Sequence, residues 1–97
     1  MGVTKMPSGE SLDLAVLEAI EACGGAATNR EISEYVASNL ALSAEQISAP
    51  HGEFGEGGRT ELEYRLAWAR TRLRGKGKIF NESKGTWANA PLSERGR

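Results

Sequence analysis

Thr60-Glu61-Leu62-Glu63-Tyr64-Arg65-Leu66-Ala67-Trp68-Ala69-Arg70-Thr71-Arg72-Leu73-Arg74 is the longest helical pattern in the chain. A threonine followed three residues later by a glutamate forms a capping box: the hydroxyl accepts from the amide three residues on, and the carboxylate reaches back to the threonine amide. A helix is therefore expected over Glu61 to Arg74. At about 100° per residue, Leu62, Leu66, Ala69 and Leu73 share one side, while Tyr64, Trp68 and Thr71 lie opposite, flanked by Arg65 and Arg72. One face is made to pack, and the other is basic and aromatic.

Downstream, Lys78-Ile79-Phe80-Asn81, Glu82-Ser83-Lys84-Gly85 and Thr86-Trp87-Ala88-Asn89 read as strand, turn and strand, with β-branched and aromatic residues on both arms and glycine in the turn. Upstream, Leu12, Val16, Ala19, Ile20 and Cys23 recur at helical spacing, Leu17 widens the stripe, and Gly24-Gly25 supplies a stop, so a first helix is expected over Leu12 to Cys23. Ala26-Ala27 is read as a link to a second capping box, Thr28-x-x-Glu31. The helix that follows buries Ile32, Val36 and Leu40, with Tyr35 beside them. Ser43-x-x-Gln46 signals one more short turn before Pro50.

Ala49 to Gly58 reads as an open loop with Phe54 as its large apolar anchor. Gly55-Glu56-Gly57-Gly58 is no phosphate loop, because that fingerprint needs a preceding strand and a Gly-Lys-Ser/Thr ending. The expected fold is mainly α with a small β-hairpin: a winged helix-turn-helix of three helices plus wing over residues 11–90. It lies between an N-terminal tail (1–10) and a C-terminal tail or truncated linker (91–97).

The chain has 97 residues, enough for one domain, and 39% hydrophobic with 26% charged residues is ordinary for a globular domain. No apolar run approaches a membrane span and residues 1–10 carry no signal-peptide core, so a cytoplasmic protein is expected. One cysteine and one histidine exclude a structural zinc site. Cys23 is expected to be a buried core thiol, the alternative being a reactive one, and His51 a loop residue between Pro50 and Gly52. No cofactor or metal is implied.

The net charge of −1 conceals a division. Residues 1–58 carry 2 Lys/Arg against 9 Asp/Glu, a formal −7, while residues 59–97 carry 10 against 4, a formal +6. Such asymmetry points to an anionic partner met by one face, nucleic acid being the commonest, against the alternative of a solvated basic face. An α-helix fits the major groove of a duplex, and a flanking hairpin can set lysines along the phosphates.

The resemblance to a known family is more specific. Arg65-Leu66-Ala67-Trp68-Ala69-Arg70-Thr71-Arg72-Leu73, then Gly77-Lys78-Ile79, then Lys84-Gly85-Thr86-Trp87, together with Glu31-Ile32, resembles the N-terminal winged-helix domain of Mrr-type restriction endonucleases over roughly Leu12 to Asn89. The resemblance implies a module that recognises DNA, methylated or otherwise modified, and that works with a nuclease domain in cis or in trans. A nuclease core needs paired carboxylates and a lysine around magnesium. The basic half carries no such cluster, so cleavage by these residues is not expected.

Arg65 and Arg72, about two turns apart, are candidates to fork onto guanine or clamp phosphate, with solvated surface arginines as the alternative. Trp68 either stacks or wedges against DNA or covers the second helix, the expectation leaning to packing. Tyr64 and Thr71 share its sector as polar contacts. Arg59 and Thr60 stand at the amino end of the helix, where backbone amides favour phosphate. Lys78 and Lys84 bracket the hairpin as phosphate partners, and Ile79, Phe80 and Trp87 pin it to the core. Arg70 and Arg74 form a second rank, with ion pairs to Glu63 or Glu31 as the alternative. Two functions follow: a double-stranded DNA-binding recognition module, or a winged-helix module for protein interaction or homodimerisation.

Overall fold

The computed structural model describes residues 6–50 and 60–90. Its elements run α1 (Gly9–Ala22), β1 (Ala26–Thr28), α2 (Asn29–Asn39), α3 (Ala44–Ser48), α4 (Glu61–Gly75), β2 (Ile79–Ser83) and β3 (Thr86–Asn89). His51, Phe54, Arg59 and the C-terminal tail lie outside the described residues, as does most of the 49–58 segment.

The local code at the helix starts is as expected. Thr28 accepts from the Glu31 amide at 3.1 Å and receives the Glu31 carboxylate on its own amide at 2.9 Å. Thr60 and Glu63 repeat the reciprocal pair at 3.1 and 3.0 Å, and Ser43 with Gln46 does the same for α3. α1 opens three residues earlier than the apolar stripe suggested, because Ser8 caps it by accepting from the Ser11 amide.

The three long helices also stop alike. Gly25 N–H donates to Ile20 C=O, Leu42 to Ala37 and Lys78 to Leu73, each at 2.9 Å, closing the same six-residue loop around a left-handed residue. That residue is Gly24 after α1 and Gly77 after α4, but Ala41, at φ 50°, after α2. An L side chain in this region costs roughly 1–2 kcal/mol. Ala41→Gly is expected to stabilise the fold by about 0.5–1 kcal/mol once the added chain entropy of glycine is subtracted, measured as a rise in the midpoint of chemical denaturation.

β3 lies between β1 and β2 and is antiparallel to both. Lys84 and Gly85 turn the hairpin, with Gly85 at φ 76°, and Glu82 is a bulge because Asn81 faces Trp87 while Ser83 faces Thr86. The Ala26-Ala27 link is thus a strand, which the sequence reading missed. Its pairing partners, Ala88 and Trp87, lie far along the chain, and alanine carries little strand propensity of its own.

The core joins α1, α2 and α4 to the sheet. Leu12, Ala15, Val16, Ala19 and Ile20 of α1 meet Ile32 and Val36 of α2, the Leu62, Leu66, Ala69 and Leu73 side of α4, and Ala27 and Ile79 of the sheet. Two core assignments are corrected. Cys23 is exposed, because α1 ends at Ala22 and the positive-φ turn at Gly24 and Gly25 carries the chain away before the stripe completes another turn. Phe80 is 44% exposed, since strand alternation turns it outward once Ile79 points in. Among the described residues the helices number four, α3 being the short turn signalled by Ser43. This mostly helical chain with a small antiparallel sheet has an element order compatible with a winged helix-turn-helix. No described helix is long and apolar enough to cross a membrane.

Candidate nucleic-acid interface

α4 has two polar flanks, and the structure treats them differently. On the flank towards α1, Arg72 Nη2 donates to Asp13 Oδ1 at 2.7 Å, and Nε reaches both Asp13 oxygens at 3.2 Å. The hydrogen bond to Asp13, opposed by desolvation and aided to a lesser degree by the carboxylate's charge, raises the Arg72 pKa above the ordinary guanidinium value, so the group stays cationic. Arg65 Nε donates to Glu61 Oε2 at 2.6 Å one turn away. Both arginines named as the foremost contacts are therefore engaged within the chain.

Trp68 stands between them, 52% exposed and edge-on to Tyr64 at a centroid distance of 6.5 Å. It does not cover α2, as packing had been expected to require. It borders a shallow groove of about 200 Å³ with Gly9 and Leu12 of α1. The reason is helical phase: Trp68 lies on the α1 flank, and α2 lies against the other. Because the Arg72 side chain is 40% exposed, although Asp13 is only 16% exposed, the pair is partly screened by solvent, and Asp13→Asn is expected to lower stability by about 1 kcal/mol, a small shift in the thermal midpoint.

The flank towards α2 is organised by Asn29. Its backbone N–H donates to Gly85 C=O in the hairpin turn at 3.1 Å, and its Oδ1 accepts from Trp87 Nε1 at 2.9 Å. One residue at the start of α2 therefore holds both the tip and the inner arm of the wing. The guanidinium of Arg70 lies over the Trp87 ring, 6.0 Å from its centroid. A groove of about 790 Å³ opens here, lined by Asn29, Arg30, Ser33, Ala67 and Arg70, with Glu34 and Glu63 also on its wall. Arg30 pairs with Glu34 at 3.2 Å in a strongly exposed pair. The sequence reading did not single out Asn29 and ranked Arg70 second, because the contacts that join them to Trp87 span distant parts of the chain.

The remaining candidates scatter around this frame. Thr60 and Glu63 occupy each other's cap groups, and the carboxylates of Glu61 and Glu63 in the first turn of α4 oppose a phosphate there. Thr71 is exposed on the far side of α4, its hydroxyl donating to Ala67 C=O at 3.0 Å. Lys84 is exposed at the wing tip and Lys78, half-buried, opens β2. Arg74 and Lys76 are exposed at the end of α4, where a cation also meets the negative end of the helix dipole. Among the described residues, no group of three His, Cys, Asp or Glu side chains is placed to hold a metal.

Residues 10–97 match the family model described as the Mrr N-terminal domain. The chain belongs to that family. Membership associates it with Mrr-type restriction systems. No curated protein and no solved structure gives a match. In this Mrr N-terminal domain the segment Arg65 to Leu73 makes both flanks of α4, and Lys84 to Trp87 makes the turn and inner arm of the wing.

Proposed function

We propose that this Mrr N-terminal domain binds double-stranded DNA as the recognition module of an Mrr-type restriction system, with α4 and the β2–β3 wing against the duplex. The observation that carries this reading is the placement of cations left over once Arg65 and Arg72 are paired internally. Arg74 and Lys76 lie on α4 and its cap, and Lys78 and Lys84 flank the wing. Phosphate contacts from such residues set affinity and orientation, and side chains of a groove-bound helix supply discrimination. Cleavage falls to a nuclease domain in cis or in trans, and modified bases are the feature read.

A second reading, a protein-interaction or dimerisation module, is favoured by one feature. An apolar groove of about 620 Å³ between α2, α3 and α4 is lined by Ala37, Leu42, Ile47 and Leu62, with Ile47 exposed. Fluorescence anisotropy of a labelled duplex of about 20 base pairs, unmodified and cytosine-methylated, tests the first reading. Binding at low salt, tighter to the methylated duplex, is expected. A domain that leaves both duplexes free at low salt, and elutes as a dimer by light scattering, supports the second reading instead.

A further inference from the structure

We infer that the turn joining α4 to β2, from Arg74 to Lys78, is the phosphate clamp of the domain, and that the amino end of α4 is closed to phosphate. The inference rests on the DNA-binding reading and adds which end of α4 meets the backbone and what that contact controls.

The two ends of α4 differ in what they offer an anion. A helix start ordinarily presents unpaired amides to a phosphate. Here Thr60 Oγ1 accepts from the Glu63 amide and Glu63 Oε1 accepts from the Thr60 amide, while Glu61 and Glu63 place two carboxylates in the first turn. A phosphate brought there meets filled donors and like charge. The far end is the reverse. From Tyr64 to Asn81 the chain has no aspartate or glutamate, and Arg74, Lys76 and Lys78 follow one another at every second residue. Arg72, just before them, is held by Asp13 of α1. The side chains of Arg74, Lys76 and Lys78 make no ion pair or hydrogen bond with any described residue, so engaging them breaks no internal pair.

The backbone beneath these cations is fixed before a ligand arrives. Lys76 N–H donates to Arg72 C=O at 3.1 Å, Gly77 N–H to Arg74 C=O at 3.0 Å and Lys78 N–H to Leu73 C=O at 2.9 Å, while Lys78 C=O accepts from Ala90 N–H at 2.9 Å. These bonds occupy carbonyls of the last turn of α4, whose partial negative charge would otherwise oppose an anion. They also tie the turn to the residue that follows β3, so binding costs side-chain freedom and little backbone freedom.

The spacing fits a duplex. Lys78 immediately precedes β2 and Lys84 immediately follows it, and at about 3.3 Å per residue the two lie roughly 20 Å apart. That exceeds the roughly 12 Å width of the major groove, so with the turn on one backbone the wing tip reaches the backbone across the groove. Phosphate contacts carry no sequence information. The clamp therefore sets affinity and leaves discrimination between duplexes to other residues.

The test is a set of anisotropy titrations at four salt concentrations, with methylated and unmethylated duplexes, on variants whose melting curves match wild type. Arg74→Ala combined with Lys76→Ala, both at exposed positions, is expected to make the slope of log affinity against log salt shallower by about 1.8 and to weaken binding on the order of tenfold or more. Both duplexes are expected to lose affinity by the same factor. Lys76→Glu, which reverses one charge of the clamp, is expected to weaken both duplexes more than Lys76→Ala does. Arg30→Ala, which removes an exposed but ion-paired cation of α2, is expected to stay within about twofold of wild type and to keep its slope.

If the double variant and Lys76→Glu bind with wild-type affinity and slope, the clamp is wrong although DNA binding stands. The same holds if Arg30→Ala changes the slope as much per charge as the double variant, because net charge and not position then governs binding. If wild type binds neither duplex at low salt, the DNA reading falls, and the inference with it.

Discussion

Leu66→Ala is expected to lower the unfolding free energy by about 2–5 kcal/mol. Leu66 is fully buried at the middle of the packing side of α4 and belongs to the cluster that joins α4 to α1, α2 and the sheet. Removing its branched end leaves a void in a core shared by α1, α2, α4 and the sheet, so collapse is incomplete and a cavity cost adds to the lost transfer free energy. A domain of this size has about 5–15 kcal/mol in total. The thermal midpoint is therefore expected to fall by about 8–40 °C. Leu14, on the same helix as Leu12 but 58% exposed, is the internal control: Leu14→Ala is expected to change stability by less than about 0.5 kcal/mol. Equal losses at Leu66 and Leu14 in calorimetry would contradict the burial pattern on which the placement of α4 depends.

The second large effect concerns salt. With about four phosphate contacts, drawn from Arg74, Lys76, Lys78 and Lys84, the slope of log affinity against log salt is expected to be about −3.6, since each contact contributes about −0.9. Raising salt from about 50 to about 200 mM then weakens binding about 150-fold. Lys84→Ala is expected to lower affinity for all sequences alike and to make the slope shallower by about 0.9. Anisotropy titrations at four or more salt concentrations give both quantities. A slope near zero would mean that the basic residues of α4 and the wing take no part.

The elements legible in the sequence are those whose signals are local. Capping boxes at Thr28, Ser43 and Thr60 and the leucine spacing of α4 involve residues three or four apart, and each appears in the structure. Where the partner is distant, the reading falls short. β1 exists because β3 pairs with it across the chain, not because Ala26-Ala27-Thr28 favours extension. A helical wheel puts Arg65, Trp68 and Arg72 in neighbouring sectors, but it cannot show that α1 lies along that flank with Asp13 facing Arg72. The same limit hides Asn29: an asparagine after a capping threonine is unremarkable until the fold brings Trp87 to it. Cys23 fails differently. Its spacing fits the stripe of α1, and only the left-handed turn that follows removes it from the core.

Titrating the isotope-labelled domain with an unlabelled duplex at low salt, and following backbone amide and indole resonances by nuclear magnetic resonance, tests most directly whether α4 and the wing meet DNA. The expected result is a set of shifts at Thr71, Arg74, Lys76, Lys78, Lys84 and the Trp87 indole, with Asp13 and the rest of α1 unmoved. A spectrum that stays unchanged through the titration, or shifts confined to α1 and the Trp68 flank, would contradict it.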